Sequence, residues 1–202
     1  MKKKIFGILC IGALIGVIGC WLAYEGLTRT SDDKFCIVCH EMTPMIISYR
    51  NDVHGGVGEV GFKAQCVDCH MPHDNIFNYI YTKAKNGIVE GKIHFFGNVD
   101  AIDWHKNRVE RREKFVFDDG CIKCHENYQT LPKLSDTGKR MHEHYVKLKD
   151  SGDTISCASC HIETGHHGLN NMLNYFKPQY EIYEKEANAT KNRLVEGLKK
   201  DL

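Results

Sequence analysis

The string Cys-x-x-Cys-His occurs four times in this chain: Cys36-Ile37-Val38-Cys39-His40, Cys66-Val67-Asp68-Cys69-His70, Cys121-Ile122-Lys123-Cys124-His125 and Cys157-Ala158-Ser159-Cys160-His161. Each has the form of a c-type haem attachment site, with two thiols to form thioethers to the haem vinyl groups. The adjacent histidine then reaches the iron from one face. Zinc knuckles do not require a histidine directly after every second cysteine, and a thioredoxin-like redox pair does not recur four times. The motifs therefore predict four covalently bound haem c groups, with His40, His70, His125 and His161 as proximal iron ligands.

Of the ten cysteines, only Cys10 and Cys20 lie outside the motifs, both in an apolar N-terminal segment. The rest of the chain keeps no thiol for a disulfide. Cysteines consumed in this way imply an exported protein, with the haem domain in the periplasm. The formal charge of +1 excludes a strongly basic nucleic-acid binder. Haem should supply much of the buried apolar volume, so the chain without it should be largely unfolded.

Lys2, Lys3 and Lys4 precede an apolar run from Ile5 to Ala23. At about 1.5 Å per residue this run nearly spans a hydrocarbon core of about 30 Å. The lysines belong on the cytoplasmic side, and Trp21 and Tyr24 fall at the opposite interface. The expectation is a single-pass anchor in the bacterial inner membrane over 1–28, its helix at about 5–24. Val17-Ile18-Gly19-Cys20 also has the shape of a lipidation box, and a cleaved signal peptide is the other alternative. Gly12 and Gly16 have the GxxxG spacing able to pair two anchors into a homodimer.

The motifs fall into two pairs, with His54 ahead of the second motif and His142 ahead of the fourth. This reads as a duplicated two-haem unit. The expected fold is mainly α, with few or no strands. A tetrahaem domain spans 29–170, in pseudo-symmetric dihaem halves of about 29–90 and 91–170. A polar helical tail covers 171–202. Apolar spacing predicts a helix over Asn75–Val89. Val99–Phe115 reads as a charged helix, and Thr137–Lys149 as another. Gly55, Gly56 and Gly58 suit a loop that approaches a porphyrin closely.

Outside the motifs lie His54, His73, His94, His105, His142, His144, His166 and His167, more than enough for several distal iron ligands. Met42 follows the first motif closely and is an alternative proximal ligand to His40. A weakly or openly ligated first haem near the membrane would suit reaction with quinol.

Cys36 to Met42 with Thr43-Pro44, Tyr49 and His54, Cys66 to Pro72, Met141-His142, and the fourth motif followed by His166 resemble the NapC/NirT family of membrane-anchored multihaem cytochromes. The resemblance covers about residues 1–170 and is nearer the nitrate-reductase type (NapC) than the nitrite-reductase type (NrfH). It implies oxidation of menaquinol or ubiquinol and electron delivery to a periplasmic reductase of nitrate, nitrite or N-/S-oxide type. It also implies His54, His73, His142 and His166 as distal ligands, on the third, fourth, first and second haems respectively. Asn86 stands where nitrite-reductase-type members can carry an aspartate.

Lys83 and Asn86, with Tyr79, are candidates for a quinol pocket. Solvated residues on a helix face are the competing reading for all three. Two other functions remain open. One is a membrane-tethered electron carrier without its own quinol site. The other is a small nitrite or hydroxylamine reductase, a reading weakened by the short chain and the lack of a Cys-x-x-Cys-Lys motif.

Overall fold

The computed structural model describes residues 2–59 and 61–177. Among these residues no strand forms, and a lone antiparallel bridge joins Gly55 to Lys63. The first helix, α1 (Lys2–Arg29), is long and apolar enough to cross a membrane, and its apolar stretch is exposed, with contacts to the rest of the chain at its C-terminal end. It runs beyond the expected 5–24. Side chains back-bond around its end: Thr28 Oγ1 donates to Tyr24 O at 2.9 Å, and Thr30 Oγ1 to Gly26 O at 2.8 Å.

The haem-motif region begins directly after this end. Asp32 caps α2 (Asp33–Cys36) by accepting from the Lys34 and Phe35 N–H groups. A 3-10 turn (His40–Met42) leads into α3 (Thr43–Arg50), and α4 (Cys66–His70) carries the second motif. The long α5 (Ile76–Phe96) is started by Asn75, which accepts from Asn78 N at 2.8 Å. It outruns the predicted Asn75–Val89. After it come α6 (Trp104–Glu110), α7 (Asp118–Cys124) with the third motif, and α8 (Asp136–Asp150). The last two among the described residues are α9 (Cys157–Cys160) in the fourth motif and α10 (Leu169–Phe176).

Three local expectations differ from the structure. The stretch Val99–Phe115 is broken into a 3-10 turn (Val99–Ala101), α6 and a second turn (Arg112–Lys114). Asp103 makes the first break, because its side chain captures the Lys106 N–H and restarts the helix, while Asn98 caps the leading turn in the same way. The segment expected as a polar tail begins with core residues instead. Leu169, Met172, Leu173 and Phe176 follow helical spacing, and Met172 and Leu173 are 1% and 0% exposed where α10 packs on α3. Residues 178–202, with Tyr180 and Tyr183, lie outside the described residues. Finally, the demand for glycine at 55 and 56 comes from the chain itself. A Cβ on Gly55 would fall 1.9 Å from Tyr49 O, and Gly56 has φ +102°.

The side-chain core is small: Ile46, Tyr49, Ala64, Val67, Met71, Met172 and Leu173. Large apolar residues beside the motifs stay exposed, among them Phe35, Val38, Phe115 and Ile162. They offer an apolar surface of the kind a porphyrin covers.

Candidate metal centres

The second, third and fourth motifs lie on short helices, each with its histidine at or just beyond the helix end, whereas the first begins at the last residue of α2 and its His40 opens the following 3-10 turn. The motifs follow one another in space as in sequence. The Cys36 and Cys66 thiols lie against each other, as do those of Cys121 and Cys157. Between the pairs, Phe117 N donates to Cys69 O at 3.0 Å. Gly120 makes this junction tight, since a Cβ there would fall 2.0 Å from Asp68 O. All eight motif cysteines are free thiols, as thioether formation requires.

The fit to haem is tested most directly by the histidines. Four imidazole pairs have nearly the same ring-centre separation: His40–His94 at 6.0 Å, His54–His125 at 6.1 Å, His70–His166 at 6.1 Å and His142–His161 at 6.2 Å. Metal–nitrogen bonds of about 2.0 Å on both sides, plus about 1.1 Å from each nitrogen to its ring centre, require about 6.2 Å. Each pair contains one motif histidine and one from elsewhere. The residues present therefore fit four iron centres, each between two imidazoles.

The outer nitrogens fit the same reading. His70 Nδ1 donates to Phe115 O at 2.6 Å, and His166 Nδ1 to Met45 O at 2.9 Å, with Ser48 Oγ at 3.2 Å. His54 Nδ1 meets Asp52 Oδ1 at 2.9 Å, and His94 Nδ1 meets Glu41 Oε1 at 2.8 Å. Such bonds fix the ring and leave Nε2 for a metal. Burial pushes His70 down and takes His166 to about 4, helped there by the His70 charge. Both rings are thus held neutral, the form that binds iron.

His54 and His166 stand opposite the third and second motifs, crossing between the halves. His142 stands opposite the fourth motif rather than the first. His73 faces no motif histidine. Its Nε2 lies 3.1 Å from Val67 O, its backbone N–H donates to Asp119 Oδ2 at 2.6 Å, and its ring packs against Tyr79 at 6.0 Å. His94 had no sequence signal beyond being a histidine, because α5 was expected to end before it.

Tyr79 and Lys83 do come together, with the ammonium 5.8 Å from the ring centre. Lys83 Nζ also donates to Leu27 O and Thr30 O, both at 3.1 Å, and to Ser31 Oγ at 2.9 Å. A cation there caps the carbonyl end of the membrane helix. Asn86 follows on α5, half-buried. A groove of about 350 Å³ lies further along, lined by Val89, Lys92, Ile93, Phe96 and Gly97. By helical spacing it sits on a different face of α5 from Lys83 and His94.

Each half also repeats one arrangement that the sequence reading missed. Asp33 pairs with Lys63 at 2.8 Å, and Lys63 lies 5.7 Å from the Tyr49 ring. Asp118 pairs with Lys149 at 3.2 Å, and Lys149 lies 5.7 Å from the Tyr145 ring. Each aspartate opens the helix that leads into a motif. Asp118 also accepts from Cys157 N at 2.8 Å, tying the third motif to the fourth. Arg112 grips the fourth motif by donating to Ala158 O at 2.6 Å and Ser159 O at 2.9 Å.

The model of the NapC/NirT cytochrome c family, N-terminal region, matches residues 1–171. The chain belongs to the NapC/NirT cytochrome c family. It is accordingly a c-type cytochrome with an N-terminal anchor helix, and its cofactor is haem c. Among its relatives in the family is the tetraheme c-type cytochrome CymA of Shewanella oneidensis, 32% identical over 177 residues, which are 82% of this chain and 91% of CymA. The cytochrome c-type protein NapC of Haemophilus influenzae is 30% identical over 177 residues, 82% of either chain. The cytochrome c-type protein TorC of Escherichia coli is 27% identical over 200 residues, 96% of this chain but 50% of TorC, so the chain spans about half of that protein. No solved structure matches the chain.

Proposed function

We propose that this protein is a tetrahaem cytochrome that oxidises membrane menaquinol or ubiquinol. It would pass the electrons to a periplasmic reductase of nitrate, nitrite or N-/S-oxide type in anaerobic respiration. The observation that carries this reading is the file of four motifs leading away from the exit of the anchor helix. Consecutive motifs touch, through Cys36–Cys66, Phe117–Cys69 and Cys121–Cys157. Haem supplies the one-electron chemistry. The chain's own residues hold and orient it: the motif cysteines as thioether anchors, His70, His125 and His161 as proximal ligands, and His166, His54 and His142 opposite them.

The repeated Asp–Lys–Tyr arrangement supports two dihaem halves within 29–170. The first motif, next to the anchor in the inner membrane, would be the electron entrance, and the fourth the exit into the periplasm. Tyr79 and Lys83, with Asn86, would border the quinol site beside the end of α1. Gly12 and Gly16 lie on an open face of the anchor, where a second copy could pack as a homodimer. Reduction of the haems by a menaquinol or ubiquinol analogue in membrane-reconstituted protein tests the reading, and a failure of both analogues to reduce them refutes it.

One observation favours a second reading, a tethered carrier fed by another quinol-oxidising complex. Lys83 is engaged by three oxygens at the end of α1, and the groove on α5 faces elsewhere. Reduction that requires an added membrane complex would establish that reading instead.

A further inference from the structure

We infer that His94 is the distal ligand of the first iron and that Glu41 is its positioning residue. The inference concerns haem ligation and does not depend on which donor reduces the protein. His94 lies on the last turns of α5, 6.0 Å from His40 between ring centres. That matches the other three motif pairs within 0.2 Å. Its Nδ1 is bonded to Glu41 Oε1 at 2.8 Å, so Nε2 is the nitrogen left for a metal.

Glu41 is 11% exposed and follows the first motif histidine directly, so one short segment carries both the proximal ligand and the group that orients the distal one. Its second oxygen, Oε2, is buried without a hydrogen bond. It faces His40 Nδ1 at 3.5 Å without forming a hydrogen bond to it. The His40 side chain is 77% exposed and can turn. Carboxylate–histidine–metal triads of this form fix the ring and raise its basicity.

Two consequences follow. Met42 has no role at the iron, and both axial positions of the first iron are filled by imidazoles. The competing ligand sets are Met42 in place of His40, and an open distal position.

The test uses the full-length, detergent-solubilised holoprotein. Electron paramagnetic resonance should show four low-spin bis-imidazole irons, and the near-infrared spectrum should show no methionine–iron band. His94→Ala should convert one iron of the four to high spin, while Met42→Leu leaves the spectra unchanged. Glu41→Gln, which keeps the shape, should leave four low-spin irons and raise one reduction potential out of four. That variant reports on the pair even where His94→Ala fails to mature. A high-spin iron in the unsubstituted protein, a methionine–iron band that Met42→Leu removes, or four unchanged potentials in Glu41→Gln would each overturn the inference.

Discussion

The imidazoles of His54 and His125 stand 6.1 Å apart, one from each half of the chain. His54 is fixed by Asp52, which takes both its backbone N–H at 2.8 Å and its Nδ1 at 2.9 Å. Replacing His54 with Ala should leave the third iron with one protein ligand, seen as one high-spin centre out of four. Loss of an orienting partner costs about 10–100-fold in metal affinity. Asp52→Ala should therefore show a partial high-spin population at that centre.

The fourth iron separates two histidines. His142 faces His161 at 6.2 Å, whereas His73 is held by Val67 and Asp119. His142→Ala should create one high-spin iron. His73→Ala should leave four low-spin irons and lower only thermal stability. The reverse result, read by the same resonance spectra, would return His73 to the ligand set.

Lys83 ties α5 to the end of the anchor through three donated hydrogen bonds. Burial holds its ammonium below the usual lysine range. Hydrogen bonds from a charged group contribute about 2 kcal/mol. Lys83→Met should loosen this junction by roughly that amount. Trypsin should then cleave faster at Arg29 and Lys34, with haem potentials unchanged. Unchanged cleavage would show that the clamp contributes little.

Asp33 sets an acid limit. Its carboxyl is 3% exposed and contacts Arg50 at 2.7 Å and Lys63 at 2.8 Å. Burial raises its pKa, but the Lys63 and Arg50 bonds outweigh burial and hold it below the usual range. A carboxyl depressed in the folded state stabilises above its unfolded pKa of about 3.9. That stability is lost as pH falls through the folded value. The melting temperature of the holoprotein should therefore fall steeply below about pH 4. Asp33→Asn should melt lower at neutral pH and show a shallower acid slope. Parallel slopes would contradict this.

Much of the site was legible in the sequence because its chemistry is local. Cys-x-x-Cys-His places three haem-binding groups within one helical turn, so the motifs needed no tertiary information. The apolar run before Tyr24 announced the anchor for the same reason. Distal ligands are not local. His166 meets His70, and His54 meets His125, only after the halves fold together, so spacing could not decide among the spare histidines. The resemblance to the NapC/NirT family implied that His54 and His166 cross between the halves, and their rings stand 6.1 Å from those of His125 and His70. It placed His73 opposite the fourth motif, where His142 stands, and passed over His94. That last omission came from helix length, since α5 continues past Val89 through Gly91 to Phe96. The tail was misjudged because Lys and Glu dominate its later part, while Met172 and Leu173, ahead of it, are core.

The proposed quinol chemistry is tested most directly by one rapid-mixing experiment. The holoprotein is reconstituted in liposomes and mixed anaerobically with a menaquinol or ubiquinol analogue while the haem absorbance is followed. The haems should be reduced with no other protein present, and Lys83→Met should slow the reaction without shifting the haem potentials. Haems that stay oxidised with both quinol analogues, yet accept electrons from dithionite, would contradict quinol oxidation by this chain.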